Sequence, residues 1–333
     1  MSVLIAARNE EKNLGRILDQ LSNQNYPIEK LQVLIINDHS EDKTRKVFEE
    51  WITDHPQFPA MLSELSKDEK GKKAALRLGQ TSATGDFHLY TDADCDLPFH
   101  WISDMVICQQ NAEADMVCGA VVMKADSIAE HAEALEFSSL IATAAGSLML
   151  GVPSLCNAAN YLVSAKTLDE ANRQRKDGNL ASGDDVFLLH RLYKMGKKLA
   201  YCRLPLAFVE IEPQPDLTSF IDQRIRWAGK WKSGIAGSNS AMAMGVWFFH
   251  LLYLTGILVL AMHHHSNWIL IAIGWKSISE TFFLEPFLRK PGFSENSGRI
   301  WLAQIPYSIY VILFGIRILF SGKYSWKGRE ILS

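Results

Sequence analysis

No cysteine in this chain belongs to a C-x-x-C pair. The five, Cys95, Cys108, Cys118, Cys156 and Cys202, are scattered, so neither a zinc site nor a disulfide framework is expected, and a reducing compartment fits best. A basic excess is missing as well. The 34 Lys and Arg face 37 Asp and Glu, and the pI is about 6.4, which excludes the electropositive footprint that binding to a phosphate backbone requires. Nucleic acid is therefore not an expected partner. No signal peptide is expected, because the short β-like apolar run Ser2–Ala7 passes straight into Arg8, Glu10, Glu11 and Lys12, and the first domain is expected to stay in the cytosol. There is no internal repeat and no low-complexity linker.

What is present is an alternation. Apolar, β-branched runs at 3–6, 32–37, 61–65, 87–91 and 115–122 alternate with amphipathic stretches at about 10–23, 41–53, 71–82 and 98–111. That pattern predicts an α/β fold, a mostly parallel sheet wound by helices. At 333 residues the chain can build one large domain plus something smaller. The composition shift near residue 235 divides it into 1–235 and a membrane region, 236–333. Three apolar segments follow the shift, 241–262, 267–288 and 301–320. The first carries only His250 as an ionisable group and is long enough to span a bilayer. Lys276, Glu280 and Glu285 interrupt the second and Arg317 the third, so either is expected to lie partly in the interface or to pack on protein. Arg224, Arg226, Lys230 and Lys232 put the N-terminal end of the first span inside. Residues 137–152 are apolar but short, which predicts a buried or interface-lying helix.

Five clusters carry chemistry. Asp92-Ala93-Asp94-Cys95-Asp96 follows a predicted strand, so its carboxylates lie at the C-terminal end of the sheet, where α/β ligands bind. Asp92 and Asp94 point the same way, and two hard oxygen ligands suit Mg²⁺ or Mn²⁺ held jointly with a diphosphate. Solvated loop acids, with Asp96 as a helix cap, are the plain alternative. Asp38, at the end of 33–37, is placed to accept hydrogen bonds from a base or ribose, or merely to cap a helix with Ser40. Gly71-Lys72-Lys73 opens a helix where a lysine and free backbone donors favour an anion, or forms a plain solvated basic turn. Ser182-Gly183-Asp184-Asp185 sets two acids at a helix start: one caps, and one is spare for proton abstraction. Gln223, Arg226 and Trp227 share one helix face at i, i+3 and i+4, fit to meet a diphosphate and a sugar, or to form an interfacial membrane belt. His263-His264-His265 reads as a polar turn. Asn157, Asn160 and Tyr161 fit an acceptor cleft or turn and strand roles equally.

In this order, Ala-Ala-Arg-Asn-Glu, Asn-Asp-x-Ser, Gly-Lys-x-x-Ala-Leu, Asp-Ala-Asp, Gly-Asp-Asp and Gln-x-x-Arg-Trp, the motifs resemble glycosyltransferase family 2 over roughly residues 2–233. The family includes cellulose, chitin and hyaluronan synthases and ceramide glucosyltransferase. The resemblance implies a GT-A fold that binds a UDP-sugar, with Ala6, Arg8 and Glu10 framing the nucleotide, Asp38 on the base and Lys72 on the pyrophosphate. Asp92 and Asp94 match the metal-binding pair, with Asp94 the direct ligand. Asp185 matches the catalytic base, and Asp184 replaces the family's usual Glu with a shorter acid. Gln223, Arg226 and Trp227 match the acceptor and diphosphate motif. The implied enzyme is an inverting transferase with a lipid or polysaccharide acceptor, multi-pass in the cell membrane, its catalytic domain cytoplasmic. A sugar-nucleotide-binding subunit without turnover and a nucleotidyltransferase are the other readings. Many relatives carry a membrane helix before the first strand, whereas this sequence starts at that strand.

Overall fold

The computed structural model describes residues 1–174, 184–232, 237–288, 297–320, 323–326 and 329–332. The chain divides into two compact units, one of Met1–Val122 with Ala144–Glu212, the other of Met123–Thr143 with Pro213–Ser333.

The first unit is built on a seven-stranded sheet. In chain order it contains β1 (Ser2–Ala7), α1 (Leu14–Ser22), β2 (Gln32–Asn37), α2 (Thr44–Asp54), β3 (Ala60–Glu64), α3 (Lys72–Ser82), β4 (Phe87–Tyr90) and α4 (Trp101–Ala112). After these come β5 (Met116–Gly119), β6 (Val121–Met123), the last residues of the 22-residue α5 (Ile128–Met149), β7 (Tyr161–Ser164), α6 (Ala165–Arg173), α7 (Asp184–Lys194), β8 (Leu199–Cys202) and β9 (Val209–Ile211). The sheet order is β3-β2-β1-β4-β7-β5-β8, parallel except for β7, which runs antiparallel to both neighbours. Val3, Leu4, Ile5, Val33, Ile35 and Ile36 are buried on both faces, the near-continuous apolar run of a strand covered on either side. Helix α1 buries Leu14, Ile17, Leu18 and Leu21, the i, i+3, i+4, i+7 stripe of a helix laid on a core. The α/β expectation holds.

Two expectations need correcting. The run 115–122 is not one strand: Ala120 separates β5 from β6, and β6 leaves the main sheet to pair with β9. Ala120 offers its carbonyl to the Val209 amide at 3.1 Å and to Asn160 Nδ2 at 2.8 Å, which turns the chain out of the ladder. Second, Cys108 and Cys202 form a disulfide, their Cα atoms 5.5 Å apart. They lie 94 residues apart in sequence, so spacing gives no hint that α4 brings one beside β8. The inference of a reducing compartment loses that support.

In the second unit, helix α8 (Leu217–Lys232) precedes α9 (Gly237–Met262), α10 (Ser266–Leu288), α11 (Ser297–Phe320) and a hairpin of β10 (Lys323–Trp326) with β11 (Arg329–Leu332). Helix α5 begins in this unit, and its last residues, from Ala144, belong to the first. It buries Phe137, Ile141, Ala142 and Leu148, as expected for the start of 137–152, but it ends at Met149, and Met149, Leu150 and Val152 are exposed. Among the described residues one helix is long and apolar enough to cross a membrane, Ala241–Met262 within α9, and Ile305–Arg317 is a shorter apolar stretch. Length and composition thus support one crossing of the multi-pass expectation. The polarity of the three helices is inverted relative to a soluble core: Leu252, Leu258, Trp268, Leu270, Trp275 and Phe282 are exposed, whereas His250, Lys276, Ser277 and Ser308 are buried. Lys276 pairs with Glu280, and His250 Nδ1 lies 3.0 Å from Ser308 Oγ. The three histidines at 263–265 form an exposed turn, with His264 in the left-handed region at φ 58°.

Candidate active site

Strand order reverses between β1 and β4, since β2 lies on one side of β1 and β4 on the other. Such a switch point opens a crevice at the carboxyl ends of the strands. The turns after β1, β2 and β4 and the start of α3 all reach it.

After β1, Arg8 and Glu10 are buried and brace the turns. Arg8 Nη1 donates to the carbonyls of Asp38 at 2.9 Å and His39 at 3.1 Å, and Nη2 reaches Glu41 at 3.4 Å. The Glu10 amide donates to Thr44 Oγ1 at 2.7 Å, and its carboxylate accepts from Asn13 Nδ2 at 2.8 Å. Ala6 is half-buried on β1, opposite Ile36 of β2. Asn9 and His39 take left-handed backbone, φ 54° and 52°, which lets both turns bend sharply beside the crevice. Asp38, 1% exposed, accepts the Gly71 amide on Oδ2 at 3.1 Å. Gly71 stands at φ 92°, a conformation that favours glycine, immediately before α3.

Lys72 is the hub. Its ammonium pairs with the Asp92 carboxylate, and Asp185 and Asp94 both act on it electrostatically. Burial alone would lower its pKa, but the three carboxylates outweigh burial and raise it, so the group stays an ammonium. Residues 72, 92, 94 and 185, read from three separate motifs, are therefore brought together. Asp185 is 4% exposed in the first turn of α7. The side chain of Asp184, with Ser182 and Gly183, lies outside the described residues. Cys95, between the acids, is pushed well above the ordinary thiol value by burial and by Asp92 and Asp94, which keeps it an inert thiol.

Among the described residues no cluster of three His, Cys, Asp or Glu side chains could hold a metal alone. Asp92 and Asp94 instead supply the one or two carboxylates with which Mg²⁺-type ions bind when phosphate oxygens complete the shell. The donor set fits an ion shared with a diphosphate.

Several residues shaping the unit escaped sequence reasoning. Arg16 and Gln20 of α1 hold Asp96. Asn160 is no cleft residue: fully buried, it accepts from Trp101 Nε1 at 2.9 Å and donates to the carbonyls of Ala120 and Ala207, both at 2.8 Å. A Cβ on Gly119 would strike it. Asn157 accepts the Ala159 amide at 3.0 Å, and Tyr161 stacks on Tyr90, ring centroids 4.3 Å apart. Only the i, i+4 spacing of Arg16 and Gln20 on one helix face was visible beforehand.

The Gln-x-x-Arg-Trp motif lies on α8 in the second unit. There Arg224, counted above only as a topogenic charge, is 3% exposed and pairs with Glu133 at 3.2 Å and with Glu136, both of α5. It also donates to Gln223 Oε1 and lies over the rings of Phe220 and Trp227, 4.1 and 4.7 Å from their centroids. Burial holds Glu133 above the ordinary carboxylate value even though Arg224 opposes it. Arg224 is thus paired within the unit, with Glu133 and Glu136. Arg226 is half-buried, and Trp227 packs on Phe137 at 5.9 Å.

Fold and cluster together define the class: an α/β protein of the GT-A type, with carboxylates and a lysine gathered at the switch point of its sheet. Residues 2–159, just under half of the chain, match the family model described as Glycosyl transferase family 2. A 4,4'-diaponeurosporenoate glycosyltransferase of Staphylococcus haemolyticus is 24% identical over 264 residues, covering 74% of this chain and 61% of that protein. The chain spans less than two thirds of the length of the curated relatives it matches, between 20% and 61%. Among solved structures, the mannosyltransferase PcManGT of Pyrobaculum calidifontis, in complex with GDP-Man and Mn²⁺, superposes with a TM-score of 0.57 at 17% identity, covering 96% of this chain and 86% of that one. S. aureus TarS 1–349 in complex with UDP-GlcNAc gives 0.51 at 13% identity over 100% and 96% of the two chains. Both likenesses are of fold.

Proposed function

We propose that the chain is an inverting glycosyltransferase that moves a sugar from a UDP-sugar to a hydroxyl of a membrane lipid or a polysaccharide, with residues 1–235 at the cytosolic face and the apolar helices beyond them in the cell membrane. One observation carries the reading: Lys72 stands among Asp92, Asp94 and Asp185 at the switch point of the sheet. A diphosphate needs a cation and helix-terminal donors, and an attacking hydroxyl needs a base. This cluster supplies both.

In the proposed reaction Asp38 recognises the nucleoside and Lys72, at the start of α3, meets the pyrophosphate. Asp92 and Asp94 would hold Mg²⁺ or Mn²⁺, which when bound neutralises charge on the diphosphate as it leaves. Asp185 takes the proton of the acceptor hydroxyl as that oxygen attacks the anomeric carbon from the face opposite the nucleotide, which inverts the centre. The roles of Gln223, Arg226 and Trp227 toward acceptor and diphosphate rest on the motif. Membrane insertion is supported by Ala241–Met262 and by the inverted polarity of α9 to α11, where apolar side chains face outward and Lys276 is paired inward. An acceptor carried by the membrane is the natural partner of such an anchor.

Purified protein in detergent, given Mn²⁺ and a panel of UDP-sugars, is expected to release UDP with at least one donor. Binding without release would make it a sensing subunit, and release of pyrophosphate from a sugar phosphate and a nucleoside triphosphate would make it a nucleotidyltransferase.

A further inference from the structure

Three acids stand in the segment 92–96, yet they are not equivalent. Asp92 meets Lys72, and Asp94 acts on the same ammonium. Asp96 faces the other way, into α1. Its carboxylate pairs with Arg16 Nη1 and accepts from Gln20 Nε2 at 2.9 Å. Gln20 Oε1 in turn accepts the Leu97 amide at 2.9 Å, and Arg16 Nη2 donates to the Asp94 carbonyl at 3.2 Å. On the far side the Asp96 amide and carbonyl exchange hydrogen bonds with Glu210, at 2.8 and 2.9 Å. The peptide that carries the Asp94 carboxylate is thereby tied at its own carbonyl and at Asp96 and Leu97, all through one helix face and one bridge.

We infer that Arg16 and Gln20 form a latch on α1 that positions the Asp94 carboxylate for the shared metal and diphosphate, with Asp96 as the latch's anchor and not a ligand. This rests on the transferase reading above. Arg16 is a positioning residue, since its guanidinium touches Asp94 only through the backbone. Two side chains one helical turn apart present three donors and an acceptor to one short loop, a geometry that fixes orientation more than charge. The sign of the effect separates the two roles. If Arg16 acted only as a nearby positive charge, it would repel a divalent cation, and its removal would tighten metal binding. If it positions Asp94, removal loosens the ligand and weakens binding.

The experiment compares Arg16→Gln, Gln20→Ala and the charge-neutral pair Arg16→Gln/Asp96→Asn with the unaltered protein. It reads the Mn²⁺ concentration for half-maximal UDP release, Mn²⁺ binding in the presence of UDP by loss of the free-ion electron paramagnetic resonance signal, and amide exchange of residues 92–97. The latch predicts that Arg16→Gln raises the half-maximal Mn²⁺ concentration about 10-fold or more, misplacement of about an ångström being costly. It also predicts that Gln20→Ala shifts it the same way by less, that the double variant does not recover, and that exchange at Asp96 and Leu97 quickens. Unchanged or tighter Mn²⁺ binding, recovery in the double variant, or unchanged exchange would overturn it. If the unaltered protein neither binds Mn²⁺ with UDP nor releases UDP, the transferase reading fails, and exchange at 92–97 still decides whether the latch holds the loop.

Discussion

Lys72 holds an ammonium where three carboxylates would otherwise repel one another. Replacing it with Met removes the cation and leaves Asp92, Asp94 and Asp185 to face each other. UDP-sugar affinity, measured by isothermal titration, is expected to fall by about 10- to 100-fold, the order of one lost charge-assisted contact of about 2 kcal/mol. His88 on β4 is a different case: 4% exposed, with neither ring nitrogen hydrogen-bonded to any of the described residues. Burial lowers its pKa against the opposing influence of Asp169. A base whose folded pKa lies below its unfolded value near 6.5 contributes fully above that value. Below it the unfolded chain binds the extra proton, and stability declines as pH falls toward the folded pKa, by at most about 1.4 kcal/mol per pH unit. His88→Leu should therefore lose less melting temperature than the unaltered protein between pH 7.5 and pH 5.5. An equal loss in both would exempt His88.

At the scale of elements, Asn160 joins the Trp101 ring of α4 to the carbonyls of Ala120 and Ala207. Truncating it to Ala strands three buried polar groups, at about 1–3 kcal/mol for each left unsatisfied. A fall in melting temperature of roughly 10 °C or more follows, while Mn²⁺ affinity of the folded fraction stays unchanged. The Cys108–Cys202 disulfide predicts that alkylation of non-reduced protein followed by mass spectrometry labels Cys95, Cys118 and Cys156 alone. Strands with an unbroken apolar run, such as 33–36 within β2, were legible in the sequence because both faces are covered. β7 and β8, four residues each, were not, since Tyr161–Ser164 follows two asparagines and Leu199–Cys202 follows two lysines, where composition signals turns. Motifs gave Asp92, Asp94 and Lys72 their neighbourhood because each ends a strand or opens a helix. The anchoring of Asp96 by Arg16 stayed hidden, because it joins residues far apart along the chain.

For the whole molecule, two compact units were anticipated only as a change of composition near 235. The structure groups part of α5 with the C-terminal helices, a rearrangement that no local pattern announces. Leu258, exposed on α9, faces lipid under the membrane reading, and Leu258→Arg would cost about 2.5–3.5 kcal/mol of insertion near a helix centre. Carbonate washing of membranes should then release a larger share of the variant, and equal retention would argue that α9 packs on protein instead. The central claim is that Asp185 is the base of a sugar transfer carried out beside Lys72 and Asp94. Its most direct test is Asp185→Asn assayed with a radiolabelled UDP-sugar and membrane-extracted acceptor, alongside UDP affinity. The account predicts transfer reduced at least about 1,000-fold with UDP affinity kept within a few-fold, and turnover close to that of the unaltered protein would contradict it.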